Sequence, residues 1–257
     1  MTLWMRYKYR NSEGFGALEG ETINVFKGDM FSGSSDTGQQ IRLDDVEVLT
    51  PTIPKKMIAL WNNFHTMADK AGNSKPTHPL YFFKASSSFA PTGSIICRPE
   101  SYSGRVVYEG EIGIVVGKNC RYADAKKAKE AIFGYTCIND VTAADIISSD
   151  DSFAQWTRSK SFDGFGVFGP VVATGLEPSE LRVVTTLNGE ERQNYPVNDM
   201  IIPPVEIVRL LSQDLTLEPG DVICCGTNVG VGSMKEPENK VEITIDQIGT
   251  LSNLFKN

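Results

Sequence analysis

The chain has 257 residues, of which 40% are hydrophobic and 22% are charged, a composition ordinary for a water-soluble globular protein. Its formal net charge of −7 argues against nucleic acid or an anionic membrane surface as a partner, because both attract basic proteins. It contains only two histidines, His65 and His78. This number argues against a histidine-rich metal site and leaves few candidates for the histidine of a Ser–His–Asp triad.

The first fifty residues predict a small β domain. Turn signals at residues 11–14 and 19–21 separate half-apolar segments that are typical of short strands. Pro51 and Pro54 follow, and a residue that precedes proline avoids the helical region of backbone space. We therefore expect a domain boundary here, with a small N-terminal β domain over residues 1–50 and the main domain over residues 51–257.

The main domain is predicted to be rich in strands. Residues 105–118 combine β-branched side chains with near-alternation and predict one long strand. Asp124 is a plausible N-cap for a helix over residues 125–133, which we expect to stop at Gly134. A short strand over residues 135–139 then leads into Asp140.

The last third of the chain continues this pattern. Two prolines at 203 and 204 predict the first turn of a helix that reaches residue 211. A turn at residues 219–221 leads into a strand over 222–225, and another strand is expected over 241–245. Because strands dominate and the helices are short, the sequence favours an α+β fold over a doubly wound parallel sheet.

The sequence also favours a cytoplasmic protein. Residues 1–10 contain three basic side chains and no apolar core, unlike a signal peptide. No apolar run approaches the roughly 18 residues of a membrane span. The five cysteines are odd in number and include no C-x-x-C, which favours reduced thiols.

Three carboxylates form a candidate metal site. Glu109 and Glu111 are two residues apart on a predicted strand, so both point to one face, and glycines beside them leave room. Asp140 ends an apolar run. Carboxylates that converge in a semi-buried place repel one another unless a cation holds them, and oxygen ligands favour Mg²⁺, Mn²⁺ or Ca²⁺ over Zn²⁺. The alternative is a solvated strand face with Asp140 in a turn.

A lysine in the polar segment 155–163 is a further candidate. Such a segment is normally a surface loop, and that interpretation of Lys160 stays open at this point. Near a metal site, however, a lysine could neutralise a carboxylate or an oxyanion of the substrate.

Eight short segments carry a resemblance to a known family. In chain order they are residues 55–59 with Asn63 and Phe64, 83–86, 108–112, 134–142, 155–163 with Gly169 and Pro170, 217–223, 226–232 and 248–251. From about Pro51 to the C-terminus, the chain resembles the fumarylacetoacetate hydrolase family in its short bacterial form. That form includes 2-oxo acid and acylpyruvate hydrolases and 2-hydroxyhepta-2,4-diene-1,7-dioate isomerases. The first fifty residues resemble the family's small N-terminal domain more loosely.

The resemblance implies a fold, a metal and a substrate class. The fold is a mixed β-roll catalytic domain, usually in a homodimer. The metal is Mg²⁺ or Mn²⁺, with Ca²⁺ as a further candidate, held by Glu109, Glu111 and Asp140. The substrate is a 2-oxo acid that chelates the ion, which acts as a Lewis acid and stabilises an enolate. One such intermediate serves C–C hydrolysis, decarboxylation or double-bond isomerisation.

The resemblance also implies roles for individual side chains. Lys160 would face the developing anion and Gln155 would contact the substrate. Thr227, in the glycine-rich loop that begins at Gly226, would hold the carboxylate end. Two further residues, Lys84 and Ser86, would line the same cleft.

The chain departs from the family on the helix that usually carries a His–Glu pair. The spacing Asn-Tyr-x-x-His-x-x-Glu assigns these positions to Met67 and Lys70, and neither can act as the family's base. His65 lies two residues earlier and has Asp69 at i+4, on the same face of a helix. We therefore hypothesise that His65 and Asp69 replace the pair, the alternative being an ordinary exposed histidine.

Two other departures bear on the substrate. Ala144 stands where the family usually has arginine, and Asn228 stands in place of the usual proline. The first interpretation is C–C hydrolysis of an acylpyruvate. The second is isomerisation or decarboxylation of an unsaturated 2-oxo dicarboxylate in aromatic catabolism, which the missing base favours because isomerisation needs no activated water. A third is a catalytically inactive binding protein, against which the intact carboxylates and Lys160 argue.

Overall fold

The computed structural model describes all 257 residues and consists of twenty strands and four short α-helices, which confirms the strand-rich α+β prediction. The strands are β1 (Thr2–Tyr9), β2 (Ser12–Glu19), β3 (Thr22–Asp29), β4 (Gly33–Arg42), β5 (Glu47–Val48), β6 (Met57–Trp61), β7 (Leu80–Lys84), β8 (Phe89–Ala90), β9 (Ile95–Cys97), β10 (Val106–Tyr108), β11 (Gly110–Val116), β12 (Ile132–Asp140), β13 (Thr142–Ala143), β14 (Gly166–Thr174), β15 (Arg182–Leu187), β16 (Glu190–Pro196), β17 (Val222–Cys224), β18 (Gly232–Ser233), β19 (Glu238–Ile245) and β20 (Gly249–Lys256). The helices are α1 (His65–Ala71), α2 (Ala125–Ala131), α3 (Trp156–Lys160) and α4 (Pro204–Asp214). None of them combines the length and the apolar character that a membrane-spanning segment requires.

The main sheet contains twelve strands and runs through the whole molecule. Its order is β4-β3-β2-β1-β14-β12-β11-β17-β6-β7, with β5 and β8 added at β1 and β14. Most neighbours are antiparallel, whereas β17 pairs with β6 in parallel. A second sheet has the order β16-β15-β19-β20-β9, and a third has the order β13-β10-β18. The pairing is thus mixed, as the β-roll expectation requires.

The N-terminal strands continue the main sheet. β1 to β4 form an antiparallel meander, and β1 also pairs with β14 through the register Thr2 to Thr174. The boundary near residue 50 stays a prediction, but the first fifty residues are hydrogen-bonded to the rest of the molecule along a strand.

The strand expected over residues 105–118 is two strands, and the break falls at Glu109. β10 pairs with β13 and β18 in the small third sheet, whereas β11 pairs with β12 and β17 in the main sheet. The expectation of one strand was wrong because alternation reports which residues are half-buried and does not report which neighbour each half pairs with.

The helix that follows β11 begins where the sequence predicts but ends earlier. The Asp124 carboxylate accepts a hydrogen bond from the Lys127 amide at 2.8 Å and caps α2. Gly134 was expected to stop the helix, but it lies inside β12. A Cβ atom at Gly134 would stand 2.4 Å from the carbonyl oxygen of Ala173, so this glycine allows β12 and β14 to pair closely.

The main sheet buries apolar side chains on both faces. Along β11, Ile112 and Ile114 belong to the larger core, whereas Val115 belongs to a smaller core on the other face, with Ile138 of β12. Burial of each isoleucine contributes about 1.5–3 kcal/mol. Glu111 shares the face of Val115, and a shift of one residue would carry it into the larger core. The hydrophobic pattern therefore fixes the direction of this carboxylate.

Candidate metal centre

Three carboxylates meet where β11 and β12 run side by side. Glu109 immediately precedes β11, Glu111 is its second residue, and Asp140 ends β12. The antiparallel register brings Asp140 opposite Glu109, whose carbonyl oxygen accepts from the Asp140 amide at 2.9 Å. One oxygen from each carboxylate lies within 4.8 Å of the others. The sequence-predicted convergence is present, and this acidic triad could hold a metal ion.

Two buried lysines neutralise part of this charge. The Lys160 ammonium donates to Glu109 Oε2 at 2.7 Å and to Asp140 Oδ2 at 2.6 Å. The Lys84 ammonium donates to Asp140 Oδ1 and, at 2.5 Å, to the backbone carbonyl of Lys160. Both lysines are buried, and Lys160 ends α3, so it does not lie in a surface loop. When all five groups are ionised, one net negative charge remains.

The pKa shifts follow from burial and from these neighbours. Burial raises the pKa of Glu111 well above its usual range, and the Asp140 charge raises it further. Burial also raises the pKa of Glu109, against the opposing Lys160 charge. For Asp140, burial acts in the same direction, but the ammonium groups of Lys160 and Lys84 together lower its pKa. Of the three carboxyl groups, Glu111 is therefore the one whose negative charge is least balanced by nearby positive charge.

The donor set fits a hard divalent cation. Glu111 Oε2 accepts from the Gly226 amide at 2.9 Å, but its buried Oε1 has no hydrogen-bond partner. An unpartnered buried polar atom costs about 1–3 kcal/mol, and contact with a cation would remove that cost. Three carboxylates without histidine or thiolate form the ligand set that Mg²⁺, Mn²⁺ or Ca²⁺ prefers.

The predicted loop at Gly226 contacts the triad through its backbone. Gly226 has a φ of +89°, which a larger residue rarely adopts, and an added Cβ would meet the Leu60 carbonyl oxygen at 3.2 Å. This conformation directs the amide toward Glu111. Thr227, the next residue, donates its hydroxyl to the Gly110 carbonyl at 3.0 Å, so its side chain is fixed beside the carboxylates.

Gln193 holds this loop, and the sequence did not single it out. From β16, its amide nitrogen donates to the Thr227 hydroxyl at 2.8 Å and to the Asn228 carbonyl at 3.0 Å, while its oxygen accepts from the Gly110 amide at 2.9 Å. Gln193 is buried between the exposed residues Arg192 and Asn194. Local sequence carries no signal for this, because its neighbours are ordinary surface residues.

The other predicted substrate contacts surround the lysines. Ser86 is exposed, two residues beyond Lys84, in the short 3₁₀ turn Ser86–Ser88. Gln155 is half-buried directly before α3, and its amide donates to the Phe153 carbonyl at 3.1 Å. Their proposed contacts with a substrate stay predictions.

An aromatic wall borders Lys160. Trp156 stacks on Phe82 with ring centroids 5.5 Å apart, and the ring centroids of Trp61 and Trp156 are 5.6 Å apart. The Lys160 ammonium stands 5.6 Å from the centroid of the Phe82 ring, within range of a cation–π interaction. Because Lys160 and Phe82 are both buried, charge interactions inside the cluster are stronger than at an exposed surface.

His65 and Asp69 do not contact each other in the structure, and the hypothesis that they replace the family's pair stays a prediction. Both residues lie on α1, but the Asp69 carboxylate pairs with Lys75 at 3.1 Å, and His65 makes neither a hydrogen bond nor an ion pair. Lys75, in the segment that follows the helix, supplies the ammonium group that the Asp69 carboxylate contacts. His65 therefore lacks the carboxylate that would orient it as a base.

The start of α1 is nevertheless tied to the site. Asp199 Oδ2 accepts from the Thr66 amide at 3.1 Å and from the Asn228 side chain at 2.8 Å. This Asp199 bridge joins the first turn of α1 to the loop that contacts Glu111. Asn228, one of the departures noted in the sequence, is buried and supplies half of the bridge. No sequence pattern singles out Asp199.

Comparison with known proteins identifies the family. Residues 56–256 match the family described as "Fumarylacetoacetate (FAA) hydrolase C-terminal", and residues 3–51 match "Rv2993c-like, N-terminal". The oxaloacetate tautomerase YisK of Bacillus subtilis is 36% identical over 214 residues, which cover 79% of this chain and 70% of that protein.

Two solved structures share the whole fold. The 2-hydroxyhepta-2,4-diene-1,7-dioate isomerase from Mycobacterium marinum has a TM-score of 0.90 at 32% identity, and the match covers 100% of this chain and 98% of the isomerase chain. A fumarylacetoacetate hydrolase from psychrophilic Exiguobacterium antarcticum has a TM-score of 0.87 at 30% identity, with coverage of 100% and 99%. The chain therefore belongs to the fumarylacetoacetate hydrolase family. The members of the family that it resembles include a tautomerase, an isomerase and a hydrolase.

Proposed function

We propose that this protein is a divalent-metal-dependent isomerase or tautomerase that moves a proton within a short 2-oxo acid. One observation carries the proposal: the buried triad and its two lysines are intact, while α1 offers no oriented base. Interconversion of keto and enol forms requires charge stabilisation and a proton carrier, a role that an ordinary water molecule can fill, but it does not require water activated as a nucleophile. Similar proteins named as an oxaloacetate tautomerase and a dienedioate isomerase support the same reaction class.

The charge of the cluster favours an anionic substrate. A bound Mg²⁺ or Mn²⁺ supplies Lewis-acid polarisation of a carbonyl group. Such an ion at Glu109, Glu111 and Asp140 would convert the cluster's single negative charge into a single positive charge. That charge matches one carboxylate of a 2-oxo acid. The aromatic wall beside Lys160 then limits the water that reaches this group.

Lys160 is the residue that we assign to anion stabilisation. Burial lowers its pKa, but the Asp140, Glu109 and Glu111 carboxylates outweigh burial and raise the pKa overall. The side chain therefore stays an ammonium group at neutral pH. It can donate a hydrogen bond to an oxygen on which negative charge develops, but it cannot act as a base.

C–C hydrolysis of an acylpyruvate is the second candidate, supported by the similarity to the Exiguobacterium hydrolase. It requires a base that activates water, and Met67 and Lys70 occupy the positions where the family's pair would stand. Without a carboxylate on His65, we rank hydrolysis and the related decarboxylation below isomerisation. A binding protein without catalysis ranks lowest.

The metal is tested first and apart from turnover. Isothermal titration calorimetry should detect binding of Mn²⁺ or Mg²⁺ to the wild type, and Glu111→Ala should abolish it. Glu238→Gln changes an exposed glutamate of β19 and serves as the matched control, with binding unchanged. Equal binding by Glu111→Ala would place the ion elsewhere.

Turnover then distinguishes the reactions. Metal-loaded enzyme is given oxaloacetate, an acylpyruvate and a 2-hydroxydienedioate, and the enol absorbance and released CO₂ are followed. We expect faster loss of the enol signal without CO₂ and without cleavage. Cleavage of the acylpyruvate into two acids would assign the hydrolase instead, and turnover of none of the three would favour a binding protein.

We also propose a homodimer that works in the cytoplasm. The family resemblance implies the dimer, and light scattering of the purified protein would measure its mass. All five cysteines are free, and burial raises the pKa of Cys224 and Cys225, which keeps these thiols unreactive. Free thiols are typical of a reducing compartment.

A further inference from the structure

A cavity lies on the face of the main sheet opposite the triad. It has a volume of about 480 Å³, within the range of small-molecule sites. Its walls come from the start of β12, the connection between β14 and β15, and the segment before α4. The apolar wall residues include Ile132, Phe133, Leu176, Val197, Met200 and Val205.

Tyr135 of β12 supplies a free polar group in this cavity. It is only 6% exposed, and its phenol group has burial and nearby charges but no protein hydrogen bond acting on it. Tyr135 lines the cavity, and its hydroxyl oxygen is not fully enclosed by protein atoms. A buried tyrosine hydroxyl usually has a partner. Tyr135 lies five residues before Asp140 on β12, about 16 Å away at a rise of about 3.3 Å per residue. Because five is an odd number, the two side chains point to opposite faces of the sheet.

The surrounding charges indicate what this hydroxyl would bind. Burial raises the pKa of Tyr135, and the nearby Cys225 and Glu177 raise it further, while no cation opposes them. The phenol therefore stays protonated and acts as a donor. The Glu177 carboxylate, held by the Ser179 hydroxyl at 2.8 Å, would repel an anion beside it. The Lys129 ammonium is exposed at the rim and is not paired.

We propose that this cavity is a second binding site, for an uncharged and mainly apolar molecule whose carbonyl oxygen accepts a hydrogen bond from the Tyr135 hydroxyl. The apolar part of the ligand packs against Val197, Met200 and their neighbours. This chemistry differs from that of the triad, which favours anions, so the proposal does not depend on the proposed function.

The cavity is also connected to α1. Val197 and Met200 line it, and Asp199 between them forms the bridge to the Thr66 amide. A ligand that packs against residues 197–200 therefore restricts the segment that holds the first turn of α1. Hydrogen exchange of the Thr66 amide reports this directly, because that amide donates to Asp199.

The test uses acetophenone, with ethylbenzene as the analogue without a carbonyl and benzoate as the anionic analogue. Calorimetry or NMR titration of the full chain should give the tightest binding for acetophenone. Tyr135→Phe removes one oxygen and should weaken the binding of acetophenone about three- to tenfold, which is the effect of one hydrogen bond. The affinity for ethylbenzene should not change. Val205→Trp fills the cavity and should abolish binding of both, with circular dichroism as the check on folding.

Equal affinity of the wild type and Tyr135→Phe for acetophenone would overturn the proposal, as would preference for benzoate. Displacement of acetophenone by Mn²⁺ with oxaloacetate would overturn it too, because the probe would then occupy the triad. A change in oligomeric state in Tyr135→Phe, without a change in affinity, would assign the cavity to a subunit interface. Slower exchange of the Thr66 amide with acetophenone, in the wild type only, supports the connection to α1.

Discussion

Single residues in the candidate site combine a chemical role with a cost to stability. Glu111 is the plainest case, because it is buried, has one oxygen without a partner and carries a raised pKa. Asp140 has a lowered pKa, since two ammonium groups contact it. Folding therefore shifts the pKa values of two neighbouring carboxyl groups in opposite directions.

The first prediction concerns pH and the metal-free protein. A pKa raised by folding means that protonated Glu111 stabilises the fold at low pH, and that this contribution is lost as pH rises through the folded pKa. In chelator, the melting temperature should therefore rise as pH falls from neutral toward 4.5, the ordinary glutamate pKa. Below that range, protonation of Asp140 should reverse the trend.

Glu111→Gln provides the comparison for this prediction. The amide keeps an acceptor for Gly226 but cannot ionise, so the rise in melting temperature between neutral pH and 4.5 should shrink. Differential scanning fluorimetry across pH measures both proteins. An unchanged profile in the variant would assign the pH dependence to other groups.

A second prediction at this scale concerns His65. Because no carboxylate contacts it, His65→Ala should change turnover by less than about twofold, whereas loss of a general base costs about 10²- to 10⁴-fold. Steady-state kinetics with the best substrate gives the answer. A loss of a hundredfold or more would restore His65 as the base despite its missing partner.

At the scale of elements, α1 depends on contacts outside itself. It has seven residues, too few for a stable isolated helix. Phe64 packs against Tyr195 with ring centroids 5.0 Å apart, and Asn63 donates to the Cys225 carbonyl at 3.0 Å. Together with the Asp199 bridge, these contacts fix the start of the helix while its far end is exposed.

The third prediction tests the Asp199 bridge. Asp199→Ala removes the acceptor of the Thr66 amide and should raise hydrogen exchange over residues 64–71, with a loss of about 1–3 kcal/mol in unfolding free energy. The effect on turnover should appear in KM more than in kcat, because the loop at residues 226–228 loosens. Asp214→Ala, an exposed aspartate at the end of α4, is the matched control. Equal exchange in the two variants would contradict the bridge.

At the scale of the whole molecule, one sheet connects the N-terminal strands to the site. β1 pairs with β14, β14 with β12, and β12 ends at Asp140. The sequence placed a boundary near residue 50, and the hydrogen bonds cross it. A sheet that continues from one segment into the next is expected to unfold as a unit.

The fourth prediction follows from this continuity. Trp4 stands opposite Val172 of β14 and packs against Phe26 with ring centroids 4.9 Å apart, and against Phe133 at 6.4 Å. Trp4→Ala should cost about 3 kcal/mol and lower one common melting transition. Calorimetry should show a single peak in both proteins. Two separate peaks would mean that residues 1–50 unfold independently.

The amino-acid sequence alone selected Glu109, Glu111 and Asp140 as one candidate metal site and Lys160 as a candidate beside it, since residue type and short spacing are local properties, and the family pattern gave these residues their roles. Only the tertiary structure decided the break at Glu109, the partners of Lys84, and the roles of Gln193 and Asp199. Those contacts join residues far apart in the chain. They depend on which strands become neighbours, and local alternation of polar and apolar residues carries no information about strand order.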